Sequence, residues 1–127
     1  MEMKNLKVLV CDDSILSRKK LKDCIIALGC STVLEASDGE EAIIQYEKEK
    51  PDIVFMDIVM PKMDGIEALK VILHKNPNAT IIMASSVGTQ SYLKDAIKAG
   101  AKDFLQKPID SERVESLINV YCKKGDQ

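Results

Sequence analysis

The feature that most constrains this chain is a regular alternation of five short apolar runs with five segments of helical periodicity. The apolar runs are continuous, without interleaved polar residues, which indicates strands that are covered on both faces. Such strands form a parallel sheet between two layers of helices. The predicted strands are residues 7–11, 32–36, 52–56, 80–84 and 103–106.

The segments between the strands place apolar residues on one face of a helix. In the first segment, Leu21, Cys24, Ile25 and Leu28 recur at helical spacing, and Gly29 follows as a stop signal. We therefore predict an α/β fold, a (βα)5 doubly wound parallel sheet, in a single domain over residues 1–127. The inner faces of the later helices are predicted to consist of Ala42, Ile43 and Tyr46; Ile66, Leu69, Ile72 and Leu73; Leu93, Ala96 and Ile97; and Val114, Leu117, Ile118 and Tyr121.

Two local motifs make specific predictions about the backbone. Ser37 and Glu40 are three residues apart before the second helix, which matches the spacing of a capping box. The Lys107–Pro108 bond follows the last strand, and only X-Pro bonds adopt the cis form readily. A cis bond here would turn the chain sharply and direct the Lys107 side chain toward the end of the sheet.

Size and charge limit the classes of function. The chain has 127 residues, which suits one domain, and its formal net charge of -2 argues against a basic nucleic-acid-binding surface. Its apolar runs are far shorter than the ~20 residues that span a bilayer, and no segment resembles a signal peptide. We therefore expect a soluble, cytoplasmic protein with no direct nucleic-acid or membrane partner.

The cysteines and the single histidine do not form a pattern typical of a metal site. None of the four cysteines belongs to a C-x-x-C pair, so we expect free thiols in a reducing compartment. His74 is predicted to lie exposed near the end of a helix. The cysteines are Cys11, Cys24, Cys30 and Cys122.

Polar residues whose side chains can bind ligands or react stand at the ends of four predicted strands. Asp12 and Asp13 follow the first strand, Asp57 the third, Ser85 the fourth and Lys107 the fifth. Taken singly, each has an ordinary structural explanation, such as capping a helix. In an open parallel sheet, however, the carboxyl ends of the strands meet at the edge where ligands bind. The sequence therefore predicts one site that contains all five side chains.

The composition of this predicted site favours magnesium and phosphoryl chemistry. Three adjacent carboxylates repel one another, and a hard cation such as Mg²⁺, which prefers oxygen ligands, removes that conflict. The Asp12–Asp13 pair is interpreted as the metal holder, one directly and one through water. Asp57 stands apart and can attack phosphorus to form an acyl phosphate. Lys107 would neutralise charge on the transferred oxygens, and Ser85 can donate a hydrogen bond to one of them.

These residues lie in segments that resemble the bacterial response-regulator receivers. The resemblance extends over essentially the whole chain, and the matching segments occur in the family's order and at its spacing. Any one segment alone would be weak support, but together they are specific. The matching segments are residues 8–13, 51–57, 60–61, 63–65 and 99–108.

The resemblance implies a fold, a reaction and a metal site. Receivers have a flavodoxin-like sheet with strand order 2-1-3-4-5. In this chain Asp57 would accept a phosphoryl group from a histidine kinase. Mg²⁺ would be held by Asp13, Asp57 and the backbone carbonyl of Val59, with Asp12 acting through water.

The resemblance also implies a switch and an output surface. Ser85 matches the switch hydroxyl and Phe104 the switch aromatic, which is often tyrosine, so an output that depends on that hydroxyl is in doubt. Phosphorylation would reshape the surface of helix four, strand five and helix five, including Leu93, Lys94 and Ile97. Residues 85–90 most resemble chemotaxis regulators of the CheY type, which act on the flagellar motor switch.

Several alternatives stay open at this point. Within the switch class, the chain could control a motor, pass phosphate to a phosphotransfer protein as a relay intermediate, or be the receiver part of a longer regulator. It could act as a monomer or as a phosphorylation-dependent dimer. A haloacid-dehalogenase-type phosphohydrolase fits less well because Val59, two residues after Asp57, cannot do acid–base work. A flavin-binding module fits less well because Asp12 and Asp13 would repel a phosphate.

Overall fold

A computed structural model describes residues 2–122, in which five strands alternate with five α-helices. The strands are β1 Lys7–Cys11, β2 Thr32–Ala36, β3 Ile53–Asp57, β4 Ile81–Ser85 and β5 Asp103–Gln106. The helices are α1 Ile15–Ala27, α2 Gly39–Glu49, α3 Gly65–Lys75, α4 Leu93–Ala99 and α5 Ser111–Tyr121. Two 3-10 helices cover Met3–Asn5 and Val87–Tyr92.

The strands form one parallel sheet in the order β2-β1-β3-β4-β5, which confirms the predicted flavodoxin-like topology. At the carboxyl end, Cys11 pairs with Met56 and Asp57 with Ala84. Ser85 in turn pairs with Gln106. This register brings the ends of the four strands β1, β3, β4 and β5 to the same edge of the sheet.

Each face of the sheet carries its own apolar core, which explains why the strands are continuous apolar runs. On one face Leu9 and Val54 pack with α2, α3 and α4, and on the other Val10 and Phe55 pack with α1 and α5. All four of these side chains are buried. Because helices cover both faces, successive side chains along a strand are all apolar although they point in opposite directions.

The cap of α2 differs by one residue from the predicted one. Asp38, not Ser37, is the N-cap, and its carboxylate accepts a hydrogen bond from the N–H of Glu41. The N–H and hydroxyl of Ser37 donate to the carboxylate of Glu41. The prediction that Ser37 and Glu40 form a capping box was therefore wrong, because Asp38 adopts the extended backbone of a cap residue and Ser37 lies outside the helix.

The end of the fourth βα unit also differs from the prediction. Ile97, predicted to face inward, is 44% exposed, whereas Ala96 is buried as predicted. The preceding 3-10 helix Val87–Tyr92 was not predicted, and it leaves α4 with seven residues. Among residues 2–122, no helix combines the length and apolar character that a membrane crossing requires.

Candidate functional site

Three carboxylates meet at the carboxyl edge of the sheet. Asp12 and Asp13 follow β1 directly, and Asp57 is the last residue of the neighbouring β3. One carboxylate oxygen from each lies within 4.8 Å of those from the other two. The convergence that the sequence predicts for these three residues is thus present in the structure.

Asp12 is held by hydrogen bonds on every side. Its N–H donates to the carbonyl of Ala36 at 3.0 Å, and its Oδ1 accepts from the N–H of Ser14 at 2.9 Å. Its Oδ2 accepts from Nζ of Lys107 at 2.7 Å. Burial alone would raise the pKa of Asp12, but the hydrogen bonds from Lys107, Ser17 and Ser14 lower it overall. Asp12 therefore remains a charged carboxylate although it is buried.

Asp57 is in a less favourable environment for charge. Its Oδ1 accepts from the N–H of Ile58 at 3.0 Å, and its Oδ2 lies 3.5 Å from Nζ of Lys107. Its side chain is 13% exposed. Burial raises the pKa of Asp57 to about 6, and Asp12 adds to this effect while Lys107 opposes it. A bound cation would stabilise the charged form of this carboxylate.

Lys107 supplies the positive charge of the site. Its backbone N–H donates to the carbonyl of Ser85 at 2.8 Å, which ties the end of β5 to the end of β4. The Lys107–Pro108 bond is cis, as predicted. Burial would lower the pKa of Lys107, but the hydrogen bond to Asp12 and the charge of Asp57 raise it overall. Lys107 is therefore firmly protonated and faces two of the three carboxylates.

Ser85 carries a buried hydroxyl at the same edge. The residue is fully buried, and its Oγ has no hydrogen-bond partner among residues 2–122. Leaving such a group unsatisfied costs about 1 to 3 kcal/mol. An orphaned hydroxyl at the edge of an acidic, lysine-containing site is suited to donate to an oxygen of a group that arrives there.

The donor set at this edge fits a hard divalent cation. Carboxylate oxygens are the ligands that Mg²⁺ prefers, and clustering of three of them is costly without a positive charge. Asp13 is exposed and accessible from solvent. Val59 is 55% exposed in the loop that follows β3, two residues beyond Asp57. The role of its carbonyl as a ligand stays a prediction.

Phe104 lies on β5, two strands away from β3, and is 38% exposed. The guanidinium carbon of Arg113 lies 5.7 Å from the centre of the ring. Arg113 also donates to the carbonyl of Phe104 at 2.8 Å and to Oδ1 of Asp103 at 3.0 Å. A cation–π contact thus supports the exposed position of Phe104, and its role as a switch residue stays a prediction.

Sequence reasoning assigned no role to two residues that shape the site. Arg18 of α1 donates to the carbonyl of Asp12 at 2.6 Å. Gly65, the first residue of α3, lies so close to β3 that a Cβ there would be 2.0 Å from the carbonyl oxygen of Asp57. The Asp64–Gly65 pair before a helix offers a weak signal for the glycine. For Arg18 there is none, because its contact depends on how α1 packs.

The remaining polar predictions concern the cysteines and His74. Cys11, Cys24 and Cys30 carry free thiols as expected, and burial raises the pKa of Cys11 above its ordinary value. Sγ of Cys122 lies 4.0 Å from the carbonyl oxygen of Asp52. His74 is exposed in the last turn of α3, as predicted.

Comparison with known proteins gives consistent matches. Residues 8–119 match the response regulator receiver domain. The chain is 47% identical over 117 residues to the chemotaxis protein CheY of Thermotoga maritima, covering 92% of this chain and 98% of that protein. It is 47% identical over 118 residues to CheY of Listeria monocytogenes, covering 93% of this chain and 99% of that protein.

A solved structure of a relative also matches this chain. A chain in the crystal structure of the CheX–CheY–BeF3–Mg²⁺ complex from Borrelia burgdorferi aligns with a TM-score of 0.86 and 39% identity, covering 94% of this chain and 90% of that one. Proteins of this kind act in two-component signalling and are not classical enzymes. The chain therefore belongs to the response regulator receiver family and is similar to its CheY-type members along nearly their full length.

Proposed function

We propose that this protein is a phosphoacceptor switch that receives a phosphoryl group on Asp57 from a histidine kinase. The observation that carries this proposal is the convergence of three carboxylates within 4.8 Å of one another, with Nζ of Lys107 3.5 Å from Asp57. Burial raises the pKa of Asp57 to about 6, whereas the pKa of the buried, lysine-bonded Asp12 is lowered, so these two carboxylates differ chemically. That difference suits a nucleophile beside a metal-holding pair.

The metal in this proposal is Mg²⁺. Asp13, Asp57 and the carbonyl of Val59 would hold it directly, and Asp12 through water. When bound, the ion supplies positive charge that offsets the carboxylates and the phosphoryl oxygens. Asp12 is already committed to Lys107 and to the N–H of Ser14, which agrees with an indirect role.

In the proposed reaction, a carboxylate oxygen of Asp57 attacks the phosphorus of a phosphohistidine. The new P–O bond forms as the P–N bond breaks, and the imidazole nitrogen keeps the electron pair. The ammonium of Lys107 and the hydroxyl of Ser85 donate hydrogen bonds to the phosphoryl oxygens. Ser85 has a hydroxyl to offer because its Oγ has no partner among the described residues.

The consequence of phosphorylation would be a change of surface. Ser85 moves toward the phosphoryl group, and Phe104 leaves its exposed position for the interior. The surface formed by α4, β5 and α5 then changes shape and binds an output partner. Because relatives that are 47% identical to this chain are chemotaxis CheY proteins, we propose a chemotaxis output such as a flagellar motor switch component. A phosphotransfer protein is the alternative partner.

Labelling by radioactive acetyl phosphate tests the phosphoacceptor proposal. We expect rapid labelling of the unmodified chain that requires Mg²⁺ and disappears with a chelator and in Asp57→Asn. Asp64→Asn is the matched control, since Asp64 caps α3 outside the cluster and asparagine also caps helices well. Persistent labelling of the Asp57→Asn variant, or sustained release of phosphate from simple phosphate esters, would overturn the proposal in favour of another nucleophile or a phosphohydrolase.

A further inference from the structure

Arg18 connects the acidic loop after β1 to the adjacent strand β2. Its Nη1 donates to the carbonyl oxygen of Asp12 at 2.6 Å, and its Nε donates to Oε1 of Glu35 at 2.8 Å. Its side chain is only 16% exposed, although it belongs to the first turn and a half of α1. The guanidinium group thus bridges two strand ends with two separate N–H groups, which its planar fork allows.

Glu35 is itself fixed in place. Its second oxygen, Oε2, accepts from Nζ of Lys22 at 2.8 Å, one helical turn beyond Arg18. The hydrogen bonds from Lys22 and Arg18 lower the pKa of Glu35, so this carboxylate stays charged. Arg18 therefore has a charged anchor on β2 that limits the movement of its guanidinium group.

The contact with Asp12 matters because of which atom is held. The carbonyl of Asp12 and the N–H of Asp13 belong to the same planar peptide group. On the other side of Asp13, the N–H of Ser14 donates to Oδ1 of Asp12 at 2.9 Å. The backbone of Asp13 is thus held before and after its Cα atom, while its carboxylate is exposed to solvent.

We propose that Arg18 is a positioning residue for the divalent-cation site: by holding the Asp12–Asp13 peptide, it aims the Asp13 carboxylate at the ion. This inference rests on the proposed Mg²⁺ site and goes beyond it, because Arg18 touches no ligand oxygen of the cluster. The groups involved are its forked N–H donors, the Asp12 carbonyl and the Glu35 anchor.

The charge of Arg18 alone would act in the opposite direction. A guanidinium close to the site repels a cation, so its removal by itself would tighten Mg²⁺ binding. Positioning predicts instead that removal weakens Mg²⁺ binding, because the Asp12–Asp13 peptide can then rotate. The sign of the change in affinity therefore separates the two effects.

The experiment is a calorimetric titration of MgCl2 into the full chain and its variants. We expect Arg18→Gln to weaken Mg²⁺ binding roughly tenfold, the lower end of losses seen when a residue that orients a metal ligand is removed. Arg18→Lys keeps the charge but cannot bridge both acceptors, so it should weaken binding as well. The matched control is Lys19→Gln, which removes the same charge from the next residue, an exposed lysine paired with Asp23.

Two further measurements keep the outcomes distinct. The NMR chemical shift of the backbone amide of Asp13 should change in Arg18→Gln and stay unchanged in Lys19→Gln. Thermal unfolding without Mg²⁺ verifies that each variant is folded. If Arg18→Gln does not fold, the Mg²⁺ affinity of Arg18→Lys tests the positioning role in its place. Affinity equal to or tighter than that of Lys19→Gln would overturn the positioning role. Absence of Mg²⁺ binding by the unmodified chain would overturn the metal site itself and the inference with it.

Discussion

Nζ of Lys107 lies 2.7 Å from Oδ2 of Asp12, although the two residues are 95 positions apart in the chain. The pair joins the end of β5 to the end of β1 across the edge where β3 and β4 end between them. Both side chains are largely withdrawn from solvent, with 21% of Lys107 and 7% of Asp12 exposed. Without a metal, this lysine is the main counterion of the acidic cluster.

Replacement of Lys107 should distinguish how much the lysine and how much a bound cation each neutralise the carboxylates of the cluster. In Lys107→Met without divalent ions, we expect the free energy of unfolding to fall by about 1.5 to 3 kcal/mol, because a charged hydrogen bond is lost and Asp12 stays buried. Mg²⁺ should bind more tightly, since a competing positive charge is gone. Urea unfolding with and without MgCl2 and calorimetric titration measure the two effects. Lys94→Met, at an exposed lysine, is the control. If Lys107→Met loses as much stability at saturating Mg²⁺ as it does without Mg²⁺, Lys107 and Mg²⁺ do not neutralise the same carboxylates.

The raised pKa of Asp57 predicts a pH dependence of stability. Its folded-state pKa of about 6 lies above the ordinary 3.8, so the native state holds the proton more tightly than the unfolded chain does. Stability is therefore lost as the pH rises between these two values. Asp57→Asn cannot ionise, so its advantage in unfolding free energy should grow across this window to about 2 to 3 kcal/mol.

Urea unfolding at a series of pH values, without divalent ions, measures this difference between Asp57→Asn and the unmodified chain. Saturating Mg²⁺ provides the control, because a cation beside Asp57 stabilises the charged form and should remove the advantage of asparagine. A difference that stays constant with pH in the absence of Mg²⁺ would show that burial does not disfavour the charge of Asp57.

Much of the fold follows from periodicity, and the errors have local causes. The bounds of β1, β2 and β5 agree with the predicted runs. β3 and β4 each begin and end one residue later than predicted. Asp57 and Ser85 look like stop signals because they are polar, yet both pair with neighbouring strands. Strand pairing, not polarity, decides where a strand ends, and pairing is not visible in one segment of sequence.

The candidate site was predictable to the extent that topology places strand ends together. The rule that parallel strands expose their carboxyl ends at one edge is enough to place Asp12, Asp57 and Lys107 in one site from the sequence. It could not reveal the bridge from Arg18 to Glu35, which are 17 residues apart on different elements. Nor could it reveal the outward ring of Phe104, because that orientation depends on the packing of α5 against β5.

Gly65 is expected to be required for the position of Asp57. In Gly65→Ala, the new Cβ would lie 2.0 Å from the carbonyl oxygen of Asp57, so the backbone of β3 or α3 must move. Overpacking of this kind costs about 1 to 3 kcal/mol. We expect the variant to lose that much stability in chemical unfolding and to label more slowly with acetyl phosphate, because the nucleophile shifts with its backbone.

Gly88→Ala is the matched control for this substitution. A Cβ at Gly88 would meet no atom within 4 Å, so its unfolding free energy should change by no more than about 0.5 kcal/mol. Equal stability of the two alanine variants would mean that the contact between Gly65 and Asp57 relaxes without cost.

Arg113 is expected to restrain Phe104 in its exposed position. Its guanidinium lies 5.7 Å from the centre of the ring and is anchored on Asp103 at 3.0 Å. A cation–π contact at an exposed site contributes about 0.5 to 1 kcal/mol. Removing it in Arg113→Gln destabilises the outward orientation and shifts the population toward the inward one. Labelling of Asp57 by acetyl phosphate should then be about twofold to fivefold faster, if the inward state is the one that reacts.

Two control variants distinguish the loss of the cation–π contact in Arg113→Gln from the loss of one positive charge. Lys94→Gln removes one positive charge from α4, where the residue is exposed, and should leave the labelling rate unchanged. Replacing the ring in Phe104→Leu removes the other half of the contact, so adding Arg113→Gln to that variant should produce no further acceleration. If Arg113→Gln accelerates labelling equally with leucine at position 104, the arginine acts through its charge or through Asp103 and not by restraining the ring.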